Sequence, residues 1–244
     1  MIPKIIHQTW KDKIIPKQWQ ISQDEWLRLH PTWSYRLWTD SDLRDFIAND
    51  YSWFLDTYDS YPHHIQRVDA ARYFILHKYG GLYSDLDIQP VKEFDDIIKV
   101  NSVLLVITPN LNYVTNYLMA SPAGDEFWLH VFKELKHRSS NTSWWWLGKH
   151  LLVMNTTGPM MLDKAVKSYK GSVSFMPTCV ISQNVCGEIN CMKSYTKTLK
   201  GGSWHSFDSK FYNWYYCNRI LLIIIVVVIL LLIIILVVVK LTKK

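Results

Sequence analysis

The sequence predicts an α/β domain followed by a single C-terminal transmembrane helix. Three observations predict it. Apolar, strand-like runs alternate with helix-like periodicity from Ile5 onward. A long helical pattern stops at Gly80-Gly81 and leads directly into an apolar run carrying Asp85 and Asp87. Residues 220–239 are 20 consecutive Ile, Leu and Val residues without a charge. At about 1.5 Å per residue that run spans roughly 30 Å as a helix, the hydrocarbon thickness of a bilayer. Its β-branched content would suit a strand in water, but a lone strand in lipid leaves its backbone unpaired, so a helix is required. The expected organisation is a domain over 1–218, a span over 220–239 and a basic tail over 240–244.

Taken in order, residues 4–10 read as a buried strand. Ser22 with Glu25 reads as a capping box that opens a helix ended by Pro31. Residues 35–38 form a second short strand, and Thr39 or Asp40 caps a helix running through Asn49. The clearest helix covers 63–79, with Ile65, Val68, Arg72, Ile75, Leu76 and Tyr79 on one stripe. Residues 82–88 alternate like a strand, with Tyr83, Asp85 and Asp87 on one side, and Pro90 ends it. A further strand is expected at 101–107, and helices at 112–120, 124–137 and 159–169. The segment 171–218 reads as loop-rich, with one short strand at 173–176. No signal-peptide pattern precedes the first strand, so insertion is expected to use the C-terminal segment.

Composition sets the class of partner. The net charge is +6, part of it from Arg219, Lys240, Lys243 and Lys244 flanking the apolar run. No run of basic residues exists, so anionic headgroups or a nucleotide diphosphate are favoured over nucleic acid. The 12 Trp and 14 Tyr suit carbohydrate or base pockets as well as a core. Cys179, Cys186, Cys191 and Cys217 do not have zinc-site spacing; they are either disulfides of an oxidising lumen or plain thiols.

Asp85 and Asp87 are the candidate catalytic pair. Two aspartates at i and i+2 on a strand share a face and can reach one divalent ion. Hard oxygen ligands suit Mg²⁺ or Mn²⁺, with a diphosphate completing the shell. Such an ion would neutralise a leaving diphosphate. The alternative is two solvated aspartates on an exposed strand. The preceding helix adds Asp69, Arg72 and Tyr73 at i, i+3 and i+4, one helical face. Arg67 falls on a different face and reads as a surface residue. His7 reads as structural.

The string from Asp69, Arg72 and Tyr73 through Tyr79-Gly80-Gly81-Leu82-Tyr83 to Asp85 and Asp87 resembles the central motif of glycosyltransferases with a DXD sugar-binding region. This family includes yeast-type α-1,6-mannosyltransferases and inositol phosphoceramide mannosyltransferases. Residues 2–10 resemble its first strand, and 31–38 its next segment. Residues 116–122 resemble a nucleotide-sugar-site loop, and Thr157-Gly158-Pro159 a later turn. Gly202-Ser203-Trp204-His205 resembles its terminal motif. The resemblance covers about residues 1–210.

The resemblance implies a GT-A-like nucleotide-sugar-binding domain and a retaining, metal-dependent hexosyltransferase. Position by position it implies donor binding by Trp10, Asp69, Arg72, Asp85, Asn116 and Trp204, and metal binding by Asp87, Asp85 and His205 with Mn²⁺ or Mg²⁺. GDP-mannose is the expected donor, with UDP-glucose or UDP-galactose as alternatives. The expected acceptor is inositol phosphoceramide or another lipid, or a glycan. The expected location is a single-pass membrane protein of the Golgi or endoplasmic reticulum, with the side open. Insertion by the tail would leave the domain cytosolic. The lysines after the span favour a luminal domain, as do sequons at Asn141 and Asn155. Two rivals stand beside this reading: a non-catalytic nucleotide-sugar-binding membrane subunit, and a metal-free glycoside hydrolase with paired carboxylates.

Overall fold

A computed structural model describes residues 1–108, 112–140, 146, 148–184, 186–188, 191, 193–204 and 206–242. His205, Asn141, Lys243 and Lys244 lie outside the described residues. The first strand, β1 (Ile5–Thr9), pairs in parallel with β2 (Ser34–Trp38) on one side and with β3 (Gly81–Ser84) on the other. β6 (Val114–Ser121) pairs antiparallel with both β3 and β5 (Leu104–Ile107). β7 (Ser174–Phe175) closes the far edge beside β5. The resulting sheet of six has the order β2-β1-β3-β6-β5-β7. This is the mixed α/β architecture expected of the chain.

Helices cover both faces. On one, α2 (Asp40–Asp50), α3 (Leu55–Ser60), α4 (His64–Tyr79), α5 (Glu126–Ser139) and α7 (Pro159–Ser168) enclose a core that includes Phe74, Tyr83, Trp128 and Phe132. The rings of Phe74 and Phe132 stack 3.8 Å apart. On the other, α1 (Lys17–Leu29) sends Trp26 into a cluster with Leu82, Phe94 and Leu118. Short β4 (Ile88–Pro90) and the strand Thr196–Thr198 form a separate antiparallel pair.

Several sequence expectations change. Ser22 does not cap a helix. α1 begins after Pro16, the residue that tolerates a helix start but not its interior. Ser22 is buried inside α1, where its hydroxyl donates to the Ile88 carbonyl at 2.8 Å. Residues 112–120 hold the strand β6 instead of a helix. Nearly every residue of β6 is buried, so it lacks the alternation that marks a half-exposed strand. Asn116 therefore sits within a strand, not a loop. Arg67 is half-buried, with Nη2 donating to the Tyr61 carbonyl at 2.9 Å.

Other expectations hold. Thr39 caps α2 by accepting from the Asp42 N–H. α4 ends at Gly80, whose φ of +63° an L side chain rarely adopts. Of the two states left open for the cysteines, the structure shows disulfides, Cys179–Cys191 and Cys186–Cys217. The long helix α8 (Phe207–Thr242) contains all of 220–239, exposed along its length. It begins well before the apolar run, so 207–218 is helix where loop was expected. A further helix, α6 (Gly148–Thr156), packs against α8 and had no clear sequence signal.

Candidate active site

A cleft of about 750 Å³ opens at the C-terminal ends of β1 and β3. It is lined by Trp10, Trp19, Asp69, Arg72, Asp85, Asp87, Asn116, Lys149, Gly201 and Trp204 among others. Every described residue assigned to the site from the sequence is present there. The placement of the two key aspartates differs from expectation. β3 ends at Ser84, and the Ile88 N–H closes a turn on the Asp85 carbonyl at 3.1 Å. Asp85 and Asp87 thus belong to a turn between β3 and β4, not to one face of a continuous strand. The turn is the physical reason both carboxylates can face the cleft, because the backbone reverses beneath them.

Arg72 organises the floor. Its guanidinium is 3% exposed. One Nη lies 3.0 Å from the Asp69 carboxylate, and the other lies 3.2 Å from that of Asp85 and donates to the Asn116 carbonyl at 2.9 Å. The plane also sits over the Tyr83 ring, 4.7 Å from its centroid. Burial opposes charge on Arg72, but Asp85, Tyr83 and Asp69 outweigh it and hold the group protonated. Asp69 is spent on neighbours in turn. Asn116 Nδ2 donates to it at 3.0 Å, and the Thr157 hydroxyl at 3.3 Å. Burial still pushes Asp69 up to about 6.

Asp85 accepts a further hydrogen bond from the Tyr83 hydroxyl at 2.8 Å, which is itself 2.9 Å from the Thr9 hydroxyl. Asp87 differs. Its backbone carbonyl accepts from the Leu199 N–H at 2.7 Å, and among the described residues no side chain forms an ion pair with its carboxylate, which the charge of Arg72 offsets only in part. Burial, then the charge of Asp85, pushes Asp87 up to about 7. A half-buried carboxylate beside a second one favours a cation between them. No three His, Cys, Asp or Glu side chains gather as a ready metal cage among the described residues. The pair therefore fits a divalent cation only if most of its shell comes from a bound diphosphate and water.

Trp10 forms one wall, edge-to-face with Trp19 at 4.9 Å. The Trp19 indole donates to the Lys200 carbonyl at 3.0 Å, pinning the 199–204 segment over the cleft. Trp204 stacks on His150, with ring centroids 5.7 Å apart and planes at 9°. His7 lies behind the site. It accepts from the Trp38 indole at 3.2 Å, so its Nε2 carries the proton and donates to Gly80 at 3.0 Å. Tyr83 and Thr157 stand in the motifs read from sequence but receive no site role there, because their contacts are distant in sequence. Lys149 and Gly201 are not singled out by the sequence reading; Gly201, in a Gly-Gly-Ser run, had a local signal.

Residues 16–104 match the family model described as a glycosyltransferase sugar-binding region containing a DXD motif. The chain is 37% identical over 219 residues to mannosyl phosphorylinositol ceramide synthase CSH1 of Saccharomyces cerevisiae, covering 86% of this chain and 55% of that protein. It is 36% identical to inositol phosphoceramide mannosyltransferase 3 of Schizosaccharomyces pombe, covering 86% and 58%. The chain thus spans just over half the length of these relatives. Among solved structures, galactosyltransferase LgtC in complex with donor and acceptor sugar analogs superposes with a TM-score of 0.50 at 12% identity, covering 88% of this chain and 94% of that one. At that identity the likeness is one of fold, that of the GT-A glycosyltransferases.

Proposed function

Because the chain belongs, over residues 16–104, to the glycosyltransferase family whose sugar-binding region contains a DXD motif, we propose that it is a membrane-anchored glycosyltransferase. It moves a hexose from a nucleotide-sugar donor to a lipid acceptor. The names of its relatives favour mannose as the sugar and an inositol phosphoceramide as the acceptor; GDP-mannose is the donor we propose for it. The observation that carries the reading is the pair Asp85 and Asp87 on one turn, facing a cleft, with the Asp87 carboxylate in no ion pair with a described side chain.

In this reading Asp87 and Asp85 hold Mn²⁺ or Mg²⁺ together with the donor diphosphate. The bound ion would supply neutralisation of the leaving group's charge. Trp10 forms the wall against the base, and Trp204 a wall near the sugar. Asn116 and Asp69 present the polar floor below the donor. Arg72 fixes Asp69 and Asp85 in place through its two Nη atoms, while its Nε, without a hydrogen-bond partner among the described residues, remains for the donor. Retention follows a front-face displacement in which the departing phosphate takes the acceptor proton, so no protein base is assigned.

The test is a donor screen on the full chain in detergent or nanodiscs. GDP-mannose, UDP-glucose and UDP-galactose are each supplied with and without Mn²⁺, and nucleotide release is measured. One donor should release nucleotide in a metal-dependent way. Asp87→Asn should cut that rate 100-fold or more, as expected when a charge acting on the leaving group is lost, while the melting temperature stays within about 2 °C. Release that survives EDTA would point to a hydrolase; none with any donor would point to a binding subunit.

A further inference from the structure

The cleft reaches beyond the donor floor to a wall that the donor reading leaves without a role. That wall is formed by His63 at the start of α4, Lys149 in the first turn of α6 and Asn213 of α8. Lys149 is half-buried and donates to the Trp204 carbonyl at 2.8 Å, leaving two ammonium protons for other acceptors. The nearest acidic side chain from α8, Asp208, is already spent. It accepts from the His150 N–H at 2.7 Å, the Ser209 N–H at 2.8 Å and the Ser206 hydroxyl. The cleft therefore carries an acidic pair at Asp85 and Asp87 and a cation at the Lys149 wall.

The cationic wall is also the side of the cleft nearest the membrane. Asn213 and Ile220, the first residue of the apolar run, lie on the same unbroken helix. Seven residues separate them, a rise of about 10 Å. The helical turns between carry exposed Trp214 and Tyr215, with Arg219 packed on Tyr216 at 4.2 Å. Aromatic rings followed by a cation are what the headgroup layer selects. α8 cannot pivot freely, because Asp208 binds α6 and Cys217 is bonded to Cys186. The wall is thus held at headgroup height.

We propose that His63, Lys149 and Asn213 form an acceptor subsite that takes the phosphate of a lipid headgroup, with Lys149 as the charge that selects it. This rests on the glycosyltransferase reading and names how the acceptor is held within it. A phosphodiester next to the sugar-accepting ring would be gripped at Lys149, while the ring itself points toward the Asp85 and Asp87 end. The acceptor then enters from the bilayer without leaving it.

The test is calorimetric titration of the full chain in phosphatidylcholine nanodiscs, with glycerophosphoinositol, myo-inositol and inorganic phosphate as probes. Glycerophosphoinositol should bind, and should bind more tightly than either of the other two. Lys149→Gln should weaken it fivefold or more, and Lys149→Arg should restore it to within twofold. GDP affinity should be the same in all three proteins. The proposal is overturned if glycerophosphoinositol does not bind, if Lys149→Gln binds it as the wild type does, if inorganic phosphate binds more tightly, or if the loss appears in GDP binding instead. The readout requires no turnover. Absence of donor cleavage would sink the enzyme reading, while headgroup binding would be judged separately.

Discussion

Asp87 owes its position to a residue with no side chain. A Cβ built on Gly201 would lie 1.8 Å from an Asp87 carboxylate oxygen and 2.8 Å from its carbon. The neighbour is the end of a flexible side chain, so Gly201→Ala would displace the carboxylate without breaking the fold. The expected outcome is a drop of tenfold or more in metal-dependent nucleotide release, with a stability change of less than about 1 kcal/mol by chemical denaturation. His7 makes a different prediction. Burial, outweighing its bond to Gly80, lowers it from 6.5 to about 4. The unfolded chain therefore binds the extra proton first, and stability present above pH 6.5 is lost as pH falls toward 4. The shift corresponds to about 3 kcal/mol. His7→Gln, which cannot titrate, should lose that part of the acid sensitivity in melts between pH 7 and 4. Identical pH slopes for both proteins would remove His7 as the cause.

At the scale of elements, the turn from α4 into β3 sets the distance between Arg72 and Asp85. Gly81 has φ +89°, and a Cβ there would stand 2.5 Å from the Ile5 carbonyl oxygen, a backbone atom that cannot retreat without opening the β1–β3 pairing. Gly81→Ala should cost on the order of 3 kcal/mol from strain and displacement. It should also loosen the Arg72–Asp85 contact, read as a lowered denaturation midpoint together with weaker donor binding. The glycine pair was legible from sequence because a helix of such regular periodicity has to stop, and only glycine stops it in this way. The capping of α2 by Thr39 was legible for the same reason: the chemistry is local. The Asp85–Asp87 segment misled because alternation over 82–88 imitates one strand, and only the pairing with β6, which β3 leaves at Ser84, shows the turn. β6 misled in the opposite way, since a strand buried on both faces carries no period of two. Tyr83 and Thr157 stand in motifs legible from sequence, but their contacts could not be found without the fold, since Tyr83 reaches Thr9 and Thr157 reaches Asp69 across spans of 74 and 88 residues.

For the whole molecule, one helix joins the candidate cleft to the apolar run proposed as a membrane span, and the two disulfides bear on which side the cleft should stand. Cys186–Cys217 links residues 31 apart and ties α8 to the segment near the paired strands Gln183–Asn184 and Gly187–Glu188, and Cys179–Cys191 links residues 12 apart on either side of those strands. A link of the larger size constrains the unfolded chain by about 3–4 kcal/mol, a gain that exists only where thiols stay oxidised. The lysines beyond the span lead to the same side by a separate route, because positive charge holds the C-terminus in the cytosol. Asn155 adds no support. Its side chain is 3% exposed and donates to the Leu151 carbonyl at 2.9 Å, so the folded domain hides that sequon. The expected outcome is a domain on the luminal face. In sealed microsomes, added protease should leave the domain intact until detergent is supplied, and maleimide labelling before reduction should find no free thiol on the chain. Digestion in the sealed vesicles, or free thiols at Cys186 and Cys217, would place the domain in the cytosol and leave α8 joined to it by packing alone.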